Sequence, residues 1–177
     1  MHIAGEKEMK LNLGCGNIRK EGWVNCDFVR TSATDKVFDM TKFPYPFRSN
    51  SIDEIEMIEV IEHLPDTIAT LRECHRILKI GGRIHLTTPY YLSYHAWANP
   101  DHKRAFNYMS FFHLKNNSGE HKVQDFGYGF RKVNVRYSFG FGRMMLCPIS
   151  NLFKSWIDKS FLRFIICPEG LDVELIK

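Results

Sequence analysis

A short apolar stretch, Lys10-Leu11-Asn12-Leu13, runs straight into Gly14-Cys15-Gly16, and a second, Trp23-Val24-Asn25-Cys26, ends in the carboxylate of Asp27. Glycine carries no Cβ and reaches turn conformations that other residues avoid, so a strand ending in Gly-x-Gly lets backbone approach a ligand closely. An acid that closes the next strand can accept hydrogen bonds from ribose hydroxyls, which is the logic of a nucleotide-cofactor site. Two details depart from the dinucleotide fingerprint. Arg19 stands where a third glycine would be, and the acid follows about a dozen residues on instead of about twenty. Hydride transfer is therefore disfavoured.

From Lys10 onward, short apolar strands alternate with turns and helical patterns, which argues for an α/β fold of βαβ units. Residues 11–13, 24–27 and 36–39 read as strands, and the prolines of 43–47 make that segment a loop. Residues 51–60 have the composition of a buried strand, interrupted by Asp53, Glu54, Glu56 and Glu59. Leu64, Ile68, Leu71, His75 and Leu78 recur every three or four residues, the stripe of an amphipathic helix. Pro65 suits its first turn, and Gly81-Gly82 its C-terminal stop. Residues 83–88 resume as a strand that Pro89 ends.

The stretch 90–141 holds more than half of the aromatic residues, with an apolar helix expected over 107–114. Residues 132–137 and 171–176 alternate as half-exposed strands and form an expected antiparallel pair. Between them, 144–166 is apolar and amphipathic, and is expected to be a helix over the site or against a partner. The segments 90–130 and 143–166 are read as substrate-side or lid elements of a single domain spanning 1–177.

Apolar residues make up 44 % and charged residues 25 % of the 177, as in an ordinary globular domain. A net charge of +4 without any block of like charges permits an anionic substrate and demands none. The five cysteines, Cys15, Cys26, Cys74, Cys147 and Cys167, form no C-x-x-C pair, so reduced thiols in a cytoplasmic setting are expected. The longest apolar run, 161–167, is broken by Arg163 and is too short for a membrane span, which takes about twenty residues.

The order of motifs over residues 11–91 resembles the class I S-adenosylmethionine-dependent methyltransferases, in particular the small type 11 branch. Leu11-Asn12-Leu13-Gly14-Cys15-Gly16 is similar to the first motif, Asp27 to the acid after the second strand, and Phe38-Asp39-Met40 to the acid after the third. Phe47-x3-Ser51-Ile52-Asp53, Glu59-x2-Glu62-His63-Leu64 and residues 71–83 follow in the family's order. The resemblance implies a Rossmann-like fold: a mostly parallel seven-stranded sheet, its last strand antiparallel, with helices on both faces. It also implies S-adenosyl-L-methionine as the methyl donor. Gly14, Cys15 and Gly16 would approach the donor's methionine end and Asp27 its ribose; Asp39 and Met40 would border adenine, and Phe28 and Glu59 complete the set. One departure is visible. Only seven residues separate Gly16 from Val24, whereas a parallel crossover takes about a dozen or more, so the first helix is expected to shrink to about a turn.

Methyl transfer is a displacement at carbon that needs positioning and, for some acceptors, a base. His63, His102 and Tyr90 are the candidate catalytic residues; His95 is a further imidazole, and Tyr91 a further acceptor contact. Two carboxylates and an imidazole in Glu59-x2-Glu62-His63 can form a cation site. They are read instead as holding the strand-to-helix turn, with no metal ligands assigned. The acceptor is expected to be a small molecule or glycan-type compound methylated at oxygen or nitrogen. Lys103, Arg104, Lys115, Lys122, Arg131 and Lys132 carry the alternative of a metal-assisted RNA 2′-O-methyltransferase, but they are scattered. A non-catalytic S-adenosylmethionine-binding scaffold, and a homodimer through 144–166, are the remaining readings.

Overall fold

The computed structural model describes residues 8–115, 128–139 and 151–177. Seven strands form one sheet: β1 (Lys10–Leu13), β2 (Val24–Asp27), β3 (Lys36–Val37), β4 (Ile52–Ile58), β5 (Leu78–Pro89), β6 (Lys132–Ser138) and β7 (Gly170–Ile176). Their order is β3-β2-β1-β4-β5-β7-β6. All pairs from β3 to β5 are parallel, whereas β7 runs antiparallel to both β5 and β6. The sheet order reverses at β1, so β1 and β4 part company at their carboxyl ends and leave a crevice there, the usual ligand position in an open α/β sheet.

The broken alternation of residues 51–60 has a simple origin in the pleat. Ile52, Ile55 and Met57 are fully buried in the core, while Glu54 and Glu56 face outward into a ladder of charges. Glu54 lies between Lys10 of β1 and Arg83 of β5, and Glu56 is opposite His85, which in turn approaches Asp172 of β7. Leu11, Leu13, Ile84, Leu86, Val173 and Leu175 continue the buried row on the other side.

Helix α1 (Thr67–Ile77) closes this row with Leu71, Cys74 and Ile77. Asp66 caps it by accepting from the Ala69 N–H at 2.9 Å, so Pro65 lies ahead of the cap and not in the first turn. The helix also ends before Gly81-Gly82. Leu78 already pairs with Ile52, and the strand absorbs a register shift between Ile52 and Glu54. Gly81, at φ +81°, therefore bends β5 instead of stopping α1.

Helices α2 (Tyr94–Ala98) and α3 (Tyr108–Phe112) follow β5, and Asn107 caps α3 with a reciprocal capping box to Ser110. Of 144–166, residues 144–150 lie outside the described set. The rest forms two short helices, α4 (Lys154–Lys159) and α5 (Leu162–Ile166), instead of one long one. No helix among the described residues is long and apolar enough to cross a membrane. Cys15, Cys26 and Cys74 are free thiols, and Cys147 lies outside the described residues.

Candidate functional site

At the carboxyl ends of the parallel strands a cleft of about 490 Å³ is lined by Gly14, Asp27, Phe28, Asp39, Met40, Thr41, Glu59, Val60, His63, Leu64, Asp101 and Lys103. Six of the eight residues expected to hold the donor therefore line this one cleft. Cys15 and Gly16 do not line it. Cys15 is buried with its Sγ 3.8 Å from Thr34 Oγ1, and burial raises its thiol pKa, so it is a filler beneath the turn.

The turn after β1 is built around two glycines of different kinds. Gly14 sits at φ +74°, and a Cβ there would fall 2.4 Å from Val60 Cγ2, so both its conformation and its close approach exclude a side chain. Gly16 sits at φ +52° with open space around it. Asp27 ties this turn down: its Oδ2 accepts from the Gly16 N–H at 2.8 Å, and its Oδ1 from the Val29 N–H at 3.1 Å.

Residues 14–23 contain no helix; what remains of it is a single hydrogen-bonded turn in which the Ile18 N–H donates to the Cys15 carbonyl at 2.8 Å. A buried amide replaces the rest. The fully buried Asn25 accepts through Oδ1 from Asn12 Nδ2 at 3.0 Å and from the Lys20 N–H at 2.9 Å; its own Nδ2 donates to the Lys20 and Trp23 carbonyls and to Asp35. Backbone groups that a helix would pair internally are thus satisfied by one side chain. Lys20 reaches over the Trp23 ring at 3.9 Å to Glu56 at 2.6 Å and fastens the crossover to β4. Asn12 and Asn25 stood in plain view between the apolar residues of two strands. A buried polar residue at a core position is the signal that would have marked them.

On the opposite wall, Glu59 adopts φ +53°, a left-handed conformation rare for a residue with a side chain, and its N–H donates to the Thr87 carbonyl. The chain then turns through a 3-10 segment, Ile61–His63. The Glu62 carbonyl accepts from the Lys103 N–H at 2.7 Å, which draws residues 101–104 against this turn. His63 and His102 consequently pack edge to face with ring centroids 4.7 Å apart, and His102 Nδ1 is 3.1 Å from the Ala96 carbonyl. One ligand atom each from Glu62, His63 and His102 lies within 4.8 Å of the others. Glu62 is buried; its Oε2 accepts from Thr88 Oγ1 at 3.0 Å, and its Oε1 has no partner. Burial, aided by the charge of Glu59, pushes its carboxyl up to about 7. Burial and His102 hold His63 below the ordinary imidazole range. Glu59 stays outside this trio although the sequence places it in the same motif.

Tyr90 is not brought to the cleft. It is fully buried, and its hydroxyl donates to Asp158 Oδ1 at 2.8 Å beside that of Tyr137 at 2.6 Å, which pins α4 to the sheet. Burial and this carboxylate raise both phenols. His95 does not line the cleft either. Lys122, one of the six cations of the RNA reading, lies outside the described residues; Lys132 pairs with Glu174, and only Lys103 lines the cleft.

The residues present fit a nucleoside-bearing donor: a glycine-lined turn that a Cβ would fill, followed by acids after β2 and β3 on one wall. Comparisons with known proteins agree. Residues 16–86 match the family model described as a methyltransferase domain. A ubiquinone biosynthesis O-methyltransferase of Xanthomonas oryzae pv. oryzae is 42 % identical over 41 residues, 23 % of this chain and only 17 % of that protein's length. A S-adenosylmethionine-dependent methyltransferase from Archaeoglobus fulgidus superposes with a TM-score of 0.66 at 15 % identity, covering 96 % of this chain and 86 % of the other. A methyltransferase fold from Bacillus halodurans, described as putative, gives 0.59 at 12 % identity over 97 % and 93 %. Residues 16–86 thus match a methyltransferase domain, and the chain has the Rossmann-like fold of the S-adenosylmethionine-dependent methyltransferases on which it superposes.

Proposed function

We propose that the cleft transfers a methyl group from S-adenosylmethionine to an oxygen or nitrogen nucleophile on a small molecule or glycan-type acceptor. When bound, the donor supplies an electrophilic methyl group on a sulfonium. Asp27 receives the ribose hydroxyls with the acceptor capacity left on its two oxygens, Asp39 and Met40 border the adenine, and Phe28 covers it. Gly14 leaves room for the methionine end, and Glu59 closes that wall.

The observation that carries this reading is the juxtaposition, in one cleft, of the donor wall with the imidazole of His63. His63 is positioned to take the acceptor's proton, and His102 to orient its ring. The segments 90–130 and 143–166 contribute the acceptor side within a single domain. A small-molecule acceptor is supported by the short match to the O-methyltransferase of Xanthomonas.

A second reading rests on the unpartnered Oε1 of Glu62 together with the approach of its carboxylate to two imidazoles within 4.8 Å: the trio holds a divalent cation that binds the acceptor oxygen. Calorimetry with S-adenosylmethionine, followed by tritiated-methyl transfer to fractionated small-molecule, glycan and RNA pools, tests the function. Absence of donor binding at millimolar concentration would overturn it. Donor binding without transfer to any pool would favour the non-catalytic scaffold.

A further inference from the structure

Helices α4 and α5 pack against each other and reverse the ordinary arrangement of an amphipathic surface helix. Their inner side carries Ile157 and the single acid of the segment, Asp158, both buried. Asp158 is consumed by the hydroxyls of Tyr90 and Tyr137 and by the Tyr108 N–H at 3.1 Å. The large apolar residues point the other way: Leu152, Phe153, Trp156, Phe161, Phe164 and Ile165 are all more than half exposed, from 56 % to 79 %. Phe153 and Trp156 are three apart, and Phe161, Phe164 and Ile165 follow at three and four, so each helix offers one apolar ridge. Phe161 and Phe164 meet at 6.0 Å.

The charge around these ridges has one sign. Lys159 is exposed and Arg163 lies 4.8 Å over the Phe164 ring, whereas Lys154 turns inward to the Val135 carbonyl. No exposed acid occurs over 151–166; the first to follow is Glu169. A protruding Trp and Phe surface bordered by cations matches the headgroup boundary of an anionic bilayer, where aromatic rings rest at the interface and cations meet the anionic headgroups. The strand register also sets its direction. Gly170, just after α5, pairs with Pro89 at the carboxyl end of β5, so the two helices and the cleft open at the same end of the sheet.

We infer that α4 and α5 form a docking surface for an anionic lipid membrane. The surface stands independently of the methyl-transfer reading, since its assay needs neither donor nor acceptor. The whole chain is sedimented with vesicles of phosphatidylcholine alone and of equal parts phosphatidylcholine and phosphatidylglycerol. Wild-type protein pellets with the anionic vesicles and much less with the neutral ones. Trp156→Glu combined with Phe164→Glu lowers binding at least about tenfold. Lys159→Glu touches only an exposed side chain, so folding is preserved, and it lowers binding about fivefold or more at low salt. Failure of wild-type protein to bind anionic vesicles, or binding unchanged in both variants, would overturn the inference. A concentration-dependent dimer that Trp156→Glu dissolves, without vesicle binding, would overturn it too and assign the ridges to a second copy of the chain.

Discussion

Asp27 Oδ2 accepts the backbone N–H of Gly16 at 2.8 Å, so the acid that closes β2 also shapes the turn that closes β1. The sequence pattern separates a loop that receives the donor from an acid that grips its ribose. In the folded chain that carboxylate already shapes the loop, so this role and the ribose contact proposed for it are predicted to part on substitution. Asp27→Asn retains an acceptor for Gly16 and weakens donor binding by about tenfold through loss of a charge-assisted bond. Asp27→Ala weakens binding further and also lowers the melting temperature. Calorimetry and thermal denaturation of the two variants check this; equal donor affinity in both variants and wild type would remove Asp27 from the site.

The two glycines of the turn respond differently to alanine. Gly14→Ala meets both an adverse φ and the Val60 side chain, and is expected to cost about 2 kcal/mol or more. Gly16→Ala meets only the φ and costs about 1 kcal/mol. Adding Val60→Ala to Gly14→Ala removes the clash but not the backbone strain, so the pair is less damaging than the sum of its parts. Urea denaturation of the four variants measures this; strict additivity would place the Gly14 cost entirely in the backbone.

The buried amide of Asn25 carries the helix-free crossover. Asn25→Leu keeps the branched shape and the number of heavy atoms but strands the Asn12 amide and the Lys20 N–H, so a loss of about 3 kcal/mol is expected. Hydrogen exchange shows whether the loss is local. Amides of residues 14–23 should lose protection while those of β5 and β7 keep it.

Much of this architecture was legible because periodicity and punctuation act locally. Residues 24–27 read as a strand and form one, and residues 132–137 and 171–176 pair as expected. The misreadings arose where distant contacts decide. Gly81-Gly82 looked like a helix stop, yet pairing of Leu78 with Ile52 ended the helix earlier. Glu54 and Glu56 interrupt the apolar pattern of β4 because cations from elsewhere in the chain meet them, Lys10 and Arg83 at Glu54 and Lys20 at Glu56. Tyr90, directly after β5, is drawn inward by Asp158, a partner 68 residues away in sequence. His63 and His102 could each be named from the sequence, but their contact depends on the Lys103 N–H reaching the Glu62 carbonyl.

Acid stability should depend on Glu73. Burial raises its pKa, but the Arg76 guanidinium and the Tyr45 N–H outweigh burial and hold the carboxyl below its usual range; the other acidic neighbour, the Cys74 thiol, is pushed up to about 12 and stays neutral. A depressed folded-state pKa contributes stability that is present above the unfolded value, about 4.3, and fades as pH falls through the folded one. Glu73→Gln therefore lowers the melting temperature at pH 7, and the gap to wild type narrows toward pH 3. A gap independent of pH would show that the charge of Glu73 is not what stabilises the loop at Tyr45.

The chemistry of the cleft is decided at His63. His63→Ala is expected to lower turnover about a hundredfold or more, in the range of a lost general base, while donor affinity stays within about twofold. His102→Ala separates the two readings of the site. If His102 only orients the His63 ring, the loss is smaller than for His63→Ala, and prior chelation leaves wild-type turnover unchanged. If Glu62, His63 and His102 hold a cation, the two histidine variants lose activity equally, chelation abolishes turnover, and an added divalent ion restores it. Titration with magnesium or zinc alone, by calorimetry, decides the point before an acceptor is known. Heat from wild type that disappears in both His102→Ala and Glu62→Gln requires the trio as ligands, whereas the absence of heat leaves His63 as the proton acceptor.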